Sequence, residues 1–198
     1  WKTLSADTPT ESINAGQTLS FRGNLIPNYD EGIGKFTISK KCNVLGNIMS
    51  MLFGDDCKDS LNLTDKPYTF YRLFHNCSNI ISAKYLYLPV TTLVSNCYSS
   101  MFENCTSLTT APELPAMTLA KYCYHRMFYG CASLTTAPNL PATALADYCY
   151  VQMFYGCTSL TTAPELPATT LAVNCYSGMF LRCTSLTTAP KLPATTLA

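Results

Sequence analysis

Residues 97–198 repeat at a fixed period of 26, and this period limits the possible fold more than any other feature. Four copies begin at Cys97, Cys123, Cys149 and Cys175, and 16 positions are identical in all four. A unit of this size has one apolar side that it cannot bury alone, so consecutive units must stack around a shared core. The repeat therefore predicts a solenoid.

A degenerate fifth copy precedes the four regular ones. Thr69 stands where its first cysteine is expected, Cys77 is kept, and a two-residue insertion separates this copy from the next. We therefore place the repeat region at 68–198 and expect a stack of about five to six coils.

Within one unit, apolar residues recur at a spacing of four, which predicts one face of a helix. These residues are Leu145, Cys149, Met153 and Cys157. Thr143 suits the start of that helix and Gly156 its end. The following stretch, 160–166, is proline-rich and predicts only a short strand. The predicted fold class is thus α/β: a right-handed, leucine-rich-repeat-like solenoid of 26-residue helix and short-strand coils.

The region before the repeats has a different pattern. Gln17–Arg22 and Lys35–Ser39 alternate polar and apolar residues, which is typical of half-buried strands. We expect a small β-rich element at 1–45 whose first strands lie outside this sequence. Residues 46–67 are predicted to form a cap or degenerate coil, because the first coil would otherwise expose its core.

The repeat resembles the BspA-like leucine-rich repeat family of bacterial cell-surface proteins of the Bacteroides type. The motif is an aromatic residue, then G-C-x-S-L, then a short strand ending at proline. In one unit it consists of Phe128, Gly130, Cys131, Ser133, Leu134, Leu140 and Pro141. The resemblance covers about two thirds of the chain, from 68 to 198. It implies a surface or secreted recognition protein whose usual role is adhesion.

Composition narrows the function classes. With 47% hydrophobic and 13% charged residues the chain is not intrinsically disordered, and no apolar run is long enough to span a membrane. A net charge of +1 leaves no broad basic surface for nucleic acid. The chain has two histidines, His75 and His125. We therefore expect no enzyme activity, no metal and no cofactor.

The eleven cysteines permit two interpretations. Helical spacing would place Cys149 and Cys157 roughly 12 Å apart, which is too far for a disulfide. We expect small buried thiols stacked in two columns. Disulfides between coils, for example Cys131 with Cys149, are the alternative. Paired threonines such as Thr135-Thr136 predict a hydrogen-bonded ladder with one threonine per coil facing outward.

Positions that vary between units are the candidate binding residues, because repeat proteins build binding surfaces from outward positions on a constant frame. They are Lys121, His125, Arg126, Tyr129, Tyr155 and Arg182. We predict a monomeric, extracellular or cell-surface recognition module that binds an unidentified host or microbial surface protein or glycan. Unselected drift of exposed positions is the other explanation. The functional alternatives are a structural spacer and a component of a phage or appendage fibre.

Overall fold

A computed structural model describes residues 18, 20, 34–58 and 61–197 of the chain. Regular elements are few and short. They are β1 (Cys42–Asn47), α1 (Ser50–Phe53), a 3-10 helix (Gly54–Lys58), β2 (Ile80–Tyr87), β3 (Thr170–Leu171) and β4 (Thr196–Leu197). The predicted strand at 17–22 falls almost wholly outside the described residues. Lys35–Ser39 has no strand structure, and the strand of this region is β1 instead.

The repeat region is a stack of coils, each with a segment of overlapping turns that we call the turn ribbon. The ribbons of coils 1–5 cover 68–77, 96–105, 122–131, 148–157 and 174–183. In coil 3 the amides of His125, Met127 and Tyr129 donate to carbonyls three residues earlier in the same ribbon. Every second amide is thereby used to close a turn.

The remaining ribbon amides hold neighbouring coils together. In coil 3 the amides of Tyr124, Arg126 and Phe128 donate to carbonyls of coil 4, those of Cys149, Val151 and Met153, at 3.0 Å each. Coils 1, 2 and 4 repeat this arrangement with the coil that follows each of them. Each donor lies in the earlier coil and each acceptor in the later one, so one edge of every ribbon offers N–H groups and the other carbonyls.

The helix predicted in each repeat is wrong. Between 61 and 197 the described residues form turns, bridges and short strands but no helix. An α-helix would direct every amide to a carbonyl four residues earlier in the same coil. Here alternate amides bond to the next coil instead, and the ribbon repeats every four residues rather than every 3.6.

A left-handed residue at every fourth position lets the ribbon close its turns. In coil 3 these residues are Tyr122 (φ 59°), Arg126 (φ 52°) and Gly130 (φ 70°). Glycine and asparagine adopt this conformation most easily. The third such position holds Asn76, Asn104, Gly130, Gly156 and Arg182 in coils 1–5.

The other side of each coil is extended and pairs with its neighbours in parallel. β1 pairs with β2, and Ser82 of β2 begins a row of bridges that continues through Thr110, Thr136 and Thr162. A second row joins Thr92, Thr118 and Ala144, and β3 pairs with β4. Short parallel segments replace long strands in the four regular units because two prolines interrupt each of them.

Two ladders of aromatic rings run through the core. One ladder is Phe36, Phe74, Phe102, Phe128, Phe154 and Phe180, with ring centres 5.2–5.7 Å apart. The other is Phe70, Tyr98, Tyr124, Tyr150 and Tyr176, with centres 5.6–5.9 Å apart. Met101, Met127 and Met153 fill the space beside them and are fully buried. Burial of these large side chains is the main stabilising contribution of each coil.

Phe36 closes the first coil although it lies outside the repeat. Its ring stacks on Phe74 at 5.5 Å, its amide donates to the Leu73 carbonyl at 2.8 Å, and its carbonyl accepts the Cys77 thiol at 3.1 Å. These are the contacts that one ribbon makes with the next. Met49 and Leu52, at or beside α1, are buried in the same core.

Substitution at Gly156 tests the left-handed conformation. The nearest atom to a Cβ built there is 3.8 Å away, so space is not limiting and only the backbone angle resists a side chain. We expect Gly156→Asn to be nearly neutral and Gly156→Val to lower the free energy of unfolding by about 1–2 kcal/mol. Urea denaturation measures both, with Thr162→Val, at an exposed threonine, as the control. Equal midpoints for the valine and asparagine variants would contradict the turn ribbon.

Candidate functional site

The outer face of the turn ribbons carries most of the candidate residues. In coil 3 two buried residues alternate with two that are partly exposed: Cys123 and Tyr124 are buried, and His125 and Arg126 reach the surface. The same alternation places Tyr129 and Tyr155 at the surface, and Arg182 is exposed. The positions that vary between repeats are therefore outward positions of a ribbon whose inner positions are constant.

Four of the six candidate residues form one group, which we call the Arg–Tyr column: Arg126, Tyr129, Tyr155 and Arg182. The two tyrosine rings are parallel, with centres 4.5 Å apart. The Arg126 guanidinium carbon lies 5.2 Å from the Tyr129 ring centre, and that of Arg182 lies 5.6 Å from the Tyr155 ring centre. These distances fall within the range of cation–π attraction.

Gln152 fixes one end of the column. The Nε of Arg126 donates a hydrogen bond to the Gln152 side-chain oxygen at 2.7 Å. This bond orients the guanidinium and leaves its terminal nitrogens as further donors. The sequence did not single out Gln152, although it stands 26 residues after Arg126 and so occupies the same position in the next coil.

A second group lies beside the column, around Lys121. Its ammonium nitrogen is 5.5 Å from the Tyr122 ring centre and 5.6 Å from that of Tyr148, and the two rings stack at 4.8 Å. Tyr122 and Tyr148 are absent from the sequence-derived candidates. The signal that could have found them is the same residue at an outward position in two consecutive coils.

His125 lies between the two groups but is more enclosed than its neighbours. Its ring meets the Tyr122 ring edge-on at 5.6 Å, and its Nδ1 is 3.3 Å from the Ser99 hydroxyl. Burial, reinforced by the positive charge of Arg126, lowers the pKa of His125 to about 4. The imidazole is therefore neutral at physiological pH and adds hydrogen-bonding capacity, not charge, to the surface.

All eleven cysteines are free thiols, as the sequence favoured, and nine of them are buried. One column holds Cys97, Cys123, Cys149 and Cys175, and Thr69 is buried at the same position in coil 1. In the other column each thiol donates to a phenylalanine carbonyl, that of Phe36 for Cys77 and that of the preceding coil for the others. These donors are Cys77, Cys105, Cys131, Cys157 and Cys183, at 3.0–3.1 Å.

The buried thiols are not placed for nucleophilic chemistry. Burial raises the pKa of Cys77 to about 11 and that of Cys97 and Cys149 to about 12, so they are protonated at neutral pH. His75 faces Glu103, with 3.6 Å between Nδ1 and the carboxylate, rather than a thiol. Burial lowers the pKa of His75, and the Glu103 charge opposes that shift.

The expectation that one threonine per coil faces outward is wrong. Thr135 and Thr136 are both exposed, and so are Thr161 and Thr162. Only one residue per coil forms the bridge at this point, so the strict alternation of a strand does not apply. The ladder itself is present: the Thr161 hydroxyl donates to the Thr135 carbonyl at 3.3 Å.

In the described part of the chain, no group of three or more His, Cys, Asp or Glu side chains could hold a metal ion. No helix among those residues has the length and apolarity needed to cross a bilayer. Comparison of the chain with protein-family models, with curated proteins and with solved structures found no match.

The buried thiols predict a loss of stability at alkaline pH. In the unfolded chain they ionise near their usual pKa, about 8.5, whereas in the folded chain Cys77 and Cys97 ionise near 11 and 12. Above pH 8.5 the unfolded state binds fewer protons, so stability falls as pH rises towards the folded values. We expect the Tm, followed by circular dichroism, to decrease steadily from pH 8.5 to 11.

Cys97→Ala removes one of these groups and provides the control. Its Tm at pH 8 should be lower because a buried side chain is shortened, but its decline between pH 8.5 and 11 should be shallower. A native Tm that stays constant up to pH 11 would show that the thiols are accessible and unshifted.

Proposed function

We propose that the chain is a non-enzymatic recognition module, secreted or at a cell surface, that binds a protein or glycan through the outer face of its turn ribbons. The proposal includes a right-handed solenoid of the leucine-rich type and kinship with the BspA-like family, as the motif of residues 128–141 suggests. The observation that carries it is the Arg–Tyr column: outward, variable positions assembled on a constant core.

The backbone beneath the column supports a role for its side chains. Arg126 and Arg182 occupy left-handed positions with φ of 52° and 63°, as do Tyr122 and Tyr148 beside them. Glycine or asparagine would satisfy such positions without the cost of about 1–2 kcal/mol that other residues incur. Large side chains at four strained positions of one surface favour recognition over unselected drift.

The geometry also limits how a ligand can be bound. One face of each ring in the Tyr129–Tyr155 pair is covered by the other ring, at 4.5 Å, and a guanidinium also lies over each ring. The groups that remain for a ligand are ring edges, phenolic hydroxyls and the guanidinium nitrogens. Arginine and tyrosine are also the residue types that contribute most to binding energy at protein interfaces. A partner with hydrogen-bond acceptors or negative charge therefore suits this surface.

A binding screen of the purified chain tests the proposal. The probes are extracellular-matrix proteins, mucins and a glycan array. We expect saturable binding to at least one probe and its loss when Arg126, Tyr129 and Tyr155 are all replaced by alanine. The matched control is the triple variant Glu113→Ala, Asn139→Ala, Glu165→Ala, which changes exposed, variable positions on the proline side of the coils.

A third variant separates binding from stability. Arg126→Gly removes the guanidinium while placing glycine at a left-handed position, so we expect the Tm to be unchanged or slightly raised. Binding to the probe should fall at least tenfold, because the column loses one cation and its bond to Gln152. Thermal melting and a titration of the same sample measure both quantities.

The outcomes separate the functional classes. If the folded chain binds none of the probes, the result would favour a structural spacer or fibre component that has no ligand of its own. Binding that survives both the triple-alanine and the Arg126→Gly variants would place the ligand on another face. Turnover of any probe would contradict the non-enzymatic proposal.

A further inference from the structure

The outer side of the turn ribbons carries more positive charge than the rest of the solenoid. We define this ribbon face as the five ribbons together with the residue that precedes each of them. It holds four cations and two carboxylates, which give it a net charge of +2: Arg72, Lys121, Arg126, Arg182, Glu103 and Asp147. The rest of 68–197 holds two lysines and two glutamates, so its net charge is zero.

The two carboxylates of the ribbon face already have partners. Glu103 is only 8% exposed, and its carboxylate lies 3.6 Å from Nδ1 of His75. The Asp147 carboxylate accepts a hydrogen bond from the Val173 amide at 3.1 Å. In the described part of the chain, none of the four cations forms an ion pair with a carboxylate. Their charge is therefore not neutralised within the protein and favours a negatively charged ligand.

The three arginines keep most of their hydrogen-bond donors for a ligand. Arg72 lies 5.0 Å from the Tyr71 ring centre, in the same kind of contact that Arg126 and Arg182 make in the Arg–Tyr column. This contact uses the guanidinium charge and consumes no N–H group. Arg126 uses only its Nε, on Gln152, and the side chains of Arg72 and Arg182 form no hydrogen bond with the described residues. Each guanidinium can therefore hold an oxyanion with both terminal nitrogens.

The arginines form a row along the stack, on coils 1, 3 and 5. Arg72 and Arg126 occupy the same left-handed ribbon position two coils apart, with φ of 55° and 52°. Coils joined by backbone hydrogen bonds are about 4.8 Å apart, so these two Cα atoms are separated by about 10 Å. The same position holds Ser100 in coil 2 and Gln152 in coil 4. Arg182 lies two coils after Arg126 and four residues further along the ribbon, so cations alternate with neutral hydrogen-bonding groups.

This spacing favours a polysaccharide over an extended acidic peptide. A peptide strand presents side chains on one face about every 6.6 Å, a distance that does not match the coils. Sugar rings in an extended β-linked chain repeat at close to the distance between neighbouring coils, so alternate sugars meet alternate coils. Ser100 and Gln152 then provide hydrogen bonds to the sugars between the cations.

The choice of arginine favours sulfate groups over carboxylates. A guanidinium is more weakly hydrated than an ammonium and binds oxyanions through a planar fork of donors. A sulfate ester is also more weakly hydrated than a carboxylate, so the pair loses less hydration energy when it forms. All three cations of the row are arginines, whereas the one lysine of the ribbon face, Lys121, lies beside the row.

We propose that the ribbon face binds a sulfated polysaccharide that runs along the stack, with sulfate groups held by Arg72, Arg126 and Arg182. The inference rests on the proposed recognition function and names the class of its ligand. The polysaccharide crosses the Arg–Tyr column, where the hydroxyls of Tyr129 and Tyr155 add hydrogen bonds to its sugars. A ligand that reaches all three arginines spans coils 1 to 5, about 19 Å.

Heparin and its chemically desulfated form test the proposal, because the desulfated form keeps its carboxylates and loses only the sulfate groups. Each is titrated with the full 198-residue chain at one fixed ionic strength. We expect saturable heparin binding, and at least tenfold weaker binding of desulfated heparin and of poly-glutamate, the probe for an acidic protein. Affinity for heparin fragments should rise with their length until they span about 19 Å.

Two triple variants of equal net charge test the row of arginines. The first is Arg72→Gln, Arg126→Gln, Arg182→Asn, which introduces residues that equivalent positions already hold, as at Gln152 and Asn104, so its Tm should be unchanged. The control removes three exposed cations outside the ribbon face: Lys41→Gln, Lys84→Gln, Lys191→Gln. We expect the Kd for heparin to rise at least tenfold in the first variant and less than threefold in the control.

Three results would overturn the proposal. They are no heparin binding by the folded chain, equal binding of desulfated heparin or poly-glutamate, and equal losses of affinity in the two triple variants. Suppose that heparin does not bind, but another probe of the screen binds and is lost in the triple-alanine variant. The recognition function would then stand, and only the assignment of a sulfated ligand would fail.

Discussion

The rest of the structure depends on a hydrogen bond that runs in one direction, from an alternate ribbon amide to a carbonyl of the following coil. It fixes the repeat at 26 residues, because donor and acceptor stay 25 residues apart in coils 2–4, as between Tyr124 and Cys149. It also excludes a helix, whose amides would all be used within one coil. Since the donors and acceptors of the ribbons lie on opposite edges, the ribbon side of the stack is polar, and each coil relies on its neighbours to satisfy its backbone.

The constant residues of the repeat follow from this stacking. A side chain at one position contacts its own copies above and below, so nearly parallel rings such as Phe102, Phe128 and Phe154 form a ladder. The cysteine beside them must be small and must supply a donor. The phenylalanine carbonyl already accepts a turn amide, and the thiol of the next coil provides a second, weaker bond to it. Serine would offer the same donor but bury a more polar group.

Much of this could be predicted from the sequence, and the failures have physical causes. Self-comparison located the stack, the buried thiols and the outward positions, because stacked copies share one environment. The predicted helix is wrong because a spacing of four residues fits the turn ribbon better than a helix. From Leu145 to Cys157 the spacing is strictly four, and over that length a helix of 3.6 residues per turn would rotate away by roughly 120°. The role of Phe36 cannot be predicted from the repeats, because Phe36 completes the ladder from a segment without any repeat.

Outward positions and left-handed positions coincide along the ribbon, and this links recognition to backbone strain. Residues such as Tyr122, Arg126 and Gln152 point away from the core at the points where φ is positive. Such a residue is kept in place because both flanking amides are tied, one within the ribbon and one to the next coil. The stack can therefore carry large polar side chains where an isolated turn would require glycine. Its surface can vary while its core cannot, which is the physical condition for a recognition surface built from nearly identical coils.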